Sequence, residues 1–245
     1  MSLQTIMVRG LSFQYQPEGL LVLKDVDFQV AQGEAAVITG LSGCGKSTLC
    51  YCLSGVIRRY QGACLNGDIL INGKDIRDIR LANLALEVGM VFQDPDTQLF
   101  SPTVEDEIAF GPENLCIPPQ QIRQRVDQVL ELLQIEYLRE ANPYRLSGGE
   151  KHLVALASVL ALDPAVLLLD EVMSQLDASG KARVSEALTK LREMGKTIIA
   201  VEHILDAVSF ADRMLVMESG HIIREDRTDV LLMDTEFMTE HKLIY

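Results

Sequence analysis

Gly40-Leu41-Ser42-Gly43-Cys44-Gly45-Lys46-Ser47-Thr48 is the stretch whose reading decides the fold. It follows G-x-x-x-x-G-K-[ST], in which glycines turn successive backbone N–H groups inward around phosphates, a lysine reaches the β- and γ-phosphates, and a hydroxyl ligates Mg²⁺. The flanks supply the context that the motif requires. Ala35-Ala36-Val37-Ile38-Thr39 is a short apolar run between Gly33 and Gly40, the pattern of a buried parallel strand. Residues 47–54 hold no breaker before Gly55, and predict one helix whose N-terminus faces the phosphates. Strand, glycine loop and helix in that order predict a phosphate-binding α/β core rather than a structural turn.

The bulk properties narrow what such a core serves. At 245 residues the chain suffices for one large domain, or for a core with a smaller companion. A formal net charge of −13 weighs against nucleic acid as the main partner, which would need a basic face, and favours basic protein surfaces. The five cysteines, Cys44, Cys50, Cys52, Cys64 and Cys116, show neither zinc-ligand spacing nor C-x-x-C, so a reducing, cytosolic compartment is expected. Cys44 lies inside the glycine loop, where a small side chain is tolerated. No apolar run approaches the roughly 20 residues needed to span a bilayer, and no charged-then-apolar leader opens the chain, so it is not expected to enter a membrane.

Upstream of the loop, residues 5–13 and 20–30 alternate apolar and polar positions around a polar tip at 14–19, which predicts a β-hairpin or meander with Tyr15 at the tip. Downstream, 56–67 is rich in turn formers and reads as a connection, 68–73 as a strand and tight turn, and 87–92 as a strand ending at Gln93. From Asp94 the pattern becomes helical. Residues 103–110 predict a helix with an acidic first turn, broken by Pro112, Pro118 and Pro119, and 120–134 carries the spacing of an amphipathic helix. Ser147-Gly148-Gly149-Glu150 opens a helix over 151–162 as a capping box. Val166-Leu167-Leu168-Leu169 then reads as a central strand, 178–193 as a helix, 197–201 as a strand delivering Glu202-His203, and 213–217 and 221–224 as strands joined by a turn. Alternation of this kind predicts an α/β fold with a largely parallel sheet. Residues 94–155 form a helical insert in a core made of 1–93 and 156–245.

Chemistry gathers at the predicted strand ends. Asp170 and Glu171 follow four apolar residues, which places both beside the phosphate loop, Asp170 suited to Mg²⁺ and Glu171 to polarising an attacking water. His203 ends another strand, where an imidazole could donate to a γ-phosphate oxygen. Gln93 ends a third and could reach metal or water. The N-terminus of the helix that Ser147, Gly148 and Gly149 open is a second anion cradle, because free N–H groups and the helix dipole converge there. Two cradles with apparatus for one reaction predict that the second closes on the nucleotide of a partner subunit.

The ordered set Gly40 to Ser47, Gln93, Leu146 to Glu150, Val166 to Glu171, Ser174-Gln175-Leu176-Asp177 and His203 resembles the ATP-binding subunit of an ABC transporter over almost the whole chain. The stretches 93–100 and 109–114 are similar to the cobalt-type and energy-coupling-factor ATPases. That resemblance implies a RecA-type P-loop NTPase core with an N-terminal antiparallel β subdomain and an inserted helical signature subdomain. It implies ATP and Mg²⁺ as ligands, with Tyr15 stacking on adenine, and with Gly40, Ser42, Gly43, Cys44, Gly45, Lys46, Ser47 and Thr48 around the phosphates. Ser47, Gln93 and Asp170 would serve the metal. Gln93, Glu171 and His203 would be the Q-loop, the catalytic base and the switch histidine, with Ser147 to Gly149 as the signature and Asp177 in the D-loop. It further implies a head-to-tail dimer with a like or paralogous chain, an integral membrane partner, no nucleic acid, and a peripheral place on the cytoplasmic face of the membrane. A vitamin, a vitamin precursor or a transition-metal ion would be the imported solute. The chain departs from the family pattern at Val172-Met173, Gln175 and Leu153, which bear on the D-loop and on the helix after the signature.

Two other readings stay open. A soluble ABC-type ATPase of ribosomes or DNA repair would show tandem cassettes with a basic linker or a coiled-coil insert, and a non-hydrolysing regulatory module would lack Lys46 or Glu171. The surface from Gln93 to Glu107, with Glu105, Asp106 and Glu107 in a row, is expected to dock a basic helix of the membrane partner.

Overall fold

In the computed structural model, which describes residues 4–203 and 208–244, the elements follow the order β1 (Gln4–Gln14), β2 (Leu23–Ala31), β3 (Ala35–Thr39), α1 (Lys46–Leu53), β4 (Cys64–Ile71), β5 (Lys74–Asp75), α2 (Leu81–Glu87) and β6 (Val88–Val91). A helical stretch follows: α3 (Val104–Asn114), α4 (Pro119–Leu133) and α5 (Gly148–Leu160). The chain then returns to alternation with β7 (Val166–Asp170), α6 (Ala178–Glu193), β8 (Thr197–Val201), β9 (Arg213–Glu218) and β10 (His221–Arg227), and closes with α7 (Thr228–Met233) and α8 (Thr235–Glu240).

The wholly apolar runs form the centre. β3, β7 and β8 are buried at every position, as strands covered on both faces must be. They sit inside a six-stranded sheet of order β10-β9-β3-β8-β7-β6, parallel throughout except for β10. Because side chains alternate along a strand, one sheet feeds two cores. Val37, Leu167, Leu169 and Ala200 face the layer built by α3, α4, α5 and α6. Ile38, Leu168, Ile199 and Val201 face α1 and the second sheet. That second sheet is four-stranded and antiparallel, of order β2-β1-β4-β5.

The sheet topology decides where the site lies. β3, β8, β7 and β6 are parallel neighbours, so their carboxyl ends share one edge, and the residues that follow them meet there. After β3 comes the glycine loop, after β6 Gln93, at the end of β7 Asp170, and after β8 Glu202 and His203.

Two local expectations are corrected. Residues 64–67 are not part of a connection but the first half of β4, and the turn-forming Gly67 marks a bulge opposite Gly10, where the β1–β4 register shifts. A Cβ at Gly67 would lie 2.4 Å from the Gly10 carbonyl oxygen. Pro112 does not break α3, which runs on to Asn114. It stands in the last turn, where a missing N–H costs a single helical bond, and the Asn114 side-chain amide donates to Phe110 O at 2.9 Å nearby. Pro119, by contrast, opens α4 at a position where no N–H is needed.

Candidate active site

β3 hands the chain directly to the glycine loop. Gly40 sits at φ 146°, and a Cβ there would lie 2.1 Å from Met217 O, so only glycine lets β9 pass so close. Gly45, at φ 112°, stands before α1 with no side-chain cap, which leaves the N–H groups of the first helical turn to a ligand. The loop is held from behind by the β9–β10 turn, where Gly220 N donates to Cys44 O at 3.0 Å. Lys46 is 4% exposed, and its Nζ donates to Gly40 O at 2.9 Å and to Leu41 O at 3.0 Å. Cys44 is buried, and burial pushes its thiol above the ordinary range despite the Lys46 charge. A cleft of about 270 Å³ opens here, lined among others by Ser42, Gly43, Ser47, Thr48, Gln93 and Glu171. That is below the roughly 300–1,000 Å³ usual for a ligand pocket.

Asp170 is fully buried at the end of β7. Its Oδ1 accepts from Ser47 Oγ at 2.9 Å, and its Oδ2 has no hydrogen-bond partner among the described residues. Burial pushes this carboxyl up to about 6, with the Ser47 bond pulling the other way. An orphaned buried carboxylate oxygen beside a serine hydroxyl is the donor set of a hard cation, since Mg²⁺ takes one or two protein oxygens and completes its shell with phosphates and water.

Glu171 takes the left-handed conformation at φ 55°, ψ 34°, strain that persists because both its backbone groups are fixed. Its N–H donates to Val201 O at 3.0 Å, and its carbonyl accepts from Ser174 Oγ at 2.7 Å. The twist turns the carboxylate into the cleft. There Gln93 Nε2 donates to Oε2 at 2.8 Å, and His203 Nε2 lies 2.8 Å from Oε1. Three residues singled out separately in the sequence thus meet on one carboxylate.

Tyr15 stands just beyond β1, with its hydroxyl 3.0 Å from Thr48 Oγ1 in the first turn of α1. Its ring packs edge-on against Phe13 and against the half-exposed Tyr60, centroids 4.9 and 5.4 Å away. Tyr60 is a second aromatic at this edge that the sequence reading did not single out.

The other cradle opens α5. Ser147 Oγ accepts from Glu150 N at 3.3 Å while Glu150 Oε2 accepts from Ser147 N at 2.9 Å, the predicted capping box. The Ser147 bonds hold the Glu150 carboxyl below its ordinary value. Gly148 is exposed, with nothing within 4 Å of where a Cβ would stand. Gly149 lies against Gln175 O and Leu176, so the 174–177 loop adjoins this cradle, and Asp177 itself caps α6 by accepting from Gly180 N at 2.7 Å. Among the described residues no hydrogen bond joins 147–149 to the phosphate loop.

A family model described as ABC transporter matches residues 23–174. The chain belongs to the ABC transporter family. It is 43% identical over 224 residues to an ABC transporter ATP-binding protein of Methanosarcina mazei, covering 91% of this chain and 38% of that protein, so it spans about two fifths of that relative. It is 40% identical over 230 residues to the energy-coupling factor transporter ATP-binding protein of Methanosarcina acetivorans, covering 94% of this chain and 82% of that one. Among solved structures it is similar to cbiO1 of Clostridium perfringens, part of the ABC transporter complex cbiONQ. That match has a TM-score of 0.84 and 34% identity, over 98% of this chain and 95% of that one. The resemblance to cobalt-type and energy-coupling-factor ATPases seen in the sequence is therefore shared by named relatives.

In this ABC cassette two further residues stand at the site without having been given a role in the sequence reading. His152 is 2% exposed on α5, its ring between Gly148 O and Gln93 O. Glu202 is 1% exposed; its Oε1 accepts from Met173 N at 3.1 Å, its Oε2 is unpartnered among the described residues, and burial pushes the carboxyl up to about 7. Of the acidic row on α3, only Glu107 is withdrawn from solvent. Glu107 is 4% exposed and accepts from Phe100 N and Ser101 N, because it closes the loop ahead of its own helix. Glu105 pairs with Arg139 at 3.0 Å, and Asp106 accepts from Thr103 Oγ1 at 2.7 Å. Beside the exposed Asp106, this surface shows to solvent an edge-on aromatic pair, Phe100 and Phe110, 51% and 45% exposed.

A larger groove of about 720 Å³ runs between α4 and the start of β7, but its cations are already engaged, Arg125 with Ala161 O and Lys196 with Asp163. None of the described helices is long and apolar enough to cross a membrane.

Proposed function

We propose that this chain is the ATP-hydrolysing subunit of an importer of the cobalt or energy-coupling-factor type, which takes up a vitamin, a vitamin precursor or a transition-metal ion. The observation that carries this reading is the convergence of Gln93 and His203 on the Glu171 carboxylate, beside the Ser47–Asp170 pair at the mouth of the glycine loop. Backbone N–H groups from Gly40 to Thr48 cradle the phosphates, and Lys46 exchanges its loop carbonyls for phosphate oxygens. Ser47 and Asp170, with Gln93, would hold Mg²⁺, which when bound supplies positive charge against the β- and γ-phosphate oxygens. Glu171 accepts the proton of the attacking water, while Gln93 and His203 hold its two oxygens in place. Tyr15, with Tyr60 beside it, offers a ring face to adenine.

The second cradle gives this subunit its partner. Ser147, Gly148 and Gly149, with Asp177 on the adjoining loop, close on the ATP held by a second cassette, in a head-to-tail dimer of like or paralogous chains. Core residues 1–93 and 156–245 carry the first half-site, and the helical segment 94–155 carries the signature. Phe100 and Phe110 form the surface that meets an integral membrane partner on its cytoplasmic face, since an exposed aromatic pair is what a docked helix would cover. The named relatives support the transport class, and the net charge of −13 supports the absence of nucleic acid.

Phosphate release by the purified chain tests the chemistry. Release is expected only with Mg²⁺ and ATP together, and not from Lys46→Ala; a chain that binds no ATP would overturn the reading.

A further inference from the structure

α5 carries two side chains that reach back to the loop after β6. Lys151 Nζ donates to Asp96 Oδ1 at 2.6 Å. Beside it the buried His152 ring sits with Nδ1 2.9 Å from Gly148 O and Nε2 3.1 Å from Gln93 O. Both neighbours are carbonyl oxygens, which only accept, and a neutral imidazole has a single N–H to give. Gly148 O is the carbonyl to which the helix already offers the backbone N–H of residue 152, so the ring proton belongs on Nε2, toward Gln93 O. The Gln93 side chain in turn donates to Glu171. Gly148 belongs to the cradle that the proposed dimer closes on the other cassette's ATP. One buried ring therefore stands between the residue that holds this chain's hydrolytic carboxylate and the residue that would feel the neighbour's nucleotide.

We infer that His152 is a positioning residue that couples the two half-sites of one subunit, by fixing the backbone of Gln93 to the N-terminus of α5. Closure of the second cradle on a phosphate moves or steadies that N-terminus, and the imidazole carries the displacement to Gln93 and hence to Glu171. The packing is rigid enough to transmit it, because the ring is enclosed, anchored covalently to α5 at one end and hydrogen-bonded to Gln93 O at the other. The Lys151–Asp96 ion pair is a surface companion to the same junction. This inference rests on the composite-site reading above.

The test compares His152→Leu, which keeps bulk but cannot donate, with His152→Gln, whose amide can donate to Gln93 O. Each is made in a Glu171→Gln background, and the ATP concentration for half-maximal dimerisation is measured by sedimentation. Binding of a fluorescent ATP analogue to the monomer is measured alongside. Coupling between sites commonly amounts to 5–150-fold, so His152→Leu should raise the ATP requirement for dimerisation by at least about 5-fold while monomer affinity changes less than about 2-fold. His152→Gln should stay near the parent. With Glu171 restored, His152→Leu should also lose cooperativity in the ATP dependence of turnover. Thermal melting checks that the variants fold, and Asp96→Asn, on the surface, should weaken coupling in the same direction by a smaller factor. If His152→Leu dimerises and turns over as the parent does, or if a folded His152→Gln is impaired as much as the leucine variant, the inference is overturned. A Glu171→Gln parent that stays monomeric at saturating ATP would overturn the composite-site reading, and this inference with it.

Discussion

The two anion cradles of this chain are built alike and furnished differently. Each is a helix N-terminus with small residues at its opening, Gly45 ahead of α1 and Ser147, Gly148 and Gly149 at α5. Around the first stand a buried lysine, a buried aspartate with one oxygen unpartnered among the described residues, and a strained glutamate whose carboxylate is held from both sides. Around the second the serine is engaged with Glu150, the nearest lysine is drawn off to Asp96, and Gly148 faces open space. A triphosphate needs cation, metal ligands and base, and in the proposed reading the first cradle supplies them. The second can add hydrogen bonds to a phosphate already bound. On the proposed reading, the difference sets the groups of the chemistry at one cradle apart from a second cradle that serves another cassette's nucleotide.

The sharpest way to break this contrast is to remove the base. Glu171→Gln should keep ATP binding and slow turnover by roughly 10²–10⁴-fold, the usual contribution of a general base. Single-turnover phosphate release measures it, and unchanged turnover would take Glu171 out of the mechanism.

Next in size is the buried charge beside the first cradle. The Glu202 carboxyl is pushed from its ordinary 4.5 up to about 7 by burial, so the folded protein holds a proton there that the unfolded chain has already released. Stability attributable to this group is therefore full below about pH 4.5, and falls as pH rises to 7, by at most about 3 kcal/mol. Glu202→Gln should melt higher than the parent at pH 8 and no higher at pH 4. The slope that remains should belong to Asp170, whose carboxyl is pushed up to about 6. Equal pH profiles for both proteins would show that Glu202 is not the group.

The helical side should respond least to charge. Glu105 and Arg139 are partly exposed, and such a pair is worth about 1 kcal/mol or less. Glu105→Lys should shift the melting temperature by a few degrees at most and leave assembly intact, whereas Phe100→Asp should weaken co-purification with the proposed membrane partner. The reverse pattern would return the docking surface to the acidic row.

Much of this was legible in the residues because it lies on long or repetitive signals. Continuous apolar runs announced β3, β7 and β8, and the G-x-x-x-x-G-K-S spacing announced the loop between β3 and α1. Strand ends then predicted that Gln93, Asp170, Glu171 and His203 would share an edge, and the sheet order brings them there. Short elements were not legible. α2, α7 and α8 have six or seven residues, too few for a period to show. His152 was missed because a lone histidine in an otherwise apolar helix reads as core, and its partner Gln93 is 59 residues away. Glu107 was misplaced for the opposite reason. Its row of three acids reads as a solvated first turn, and only the folded loop reveals the two N–H groups that draw it inward.

The contrast between the cradles is tested most directly by sedimentation of the Glu171→Gln protein with and without ATP, alone and carrying Ser147→Arg. The account predicts a monomer without nucleotide, a dimer with ATP, and a monomer again once arginine fills the exposed second cradle, while ATP binding by the phosphate loop stays intact. An ATP-dependent dimer that survives Ser147→Arg would contradict it, because the second cradle would then have no part in closing the site.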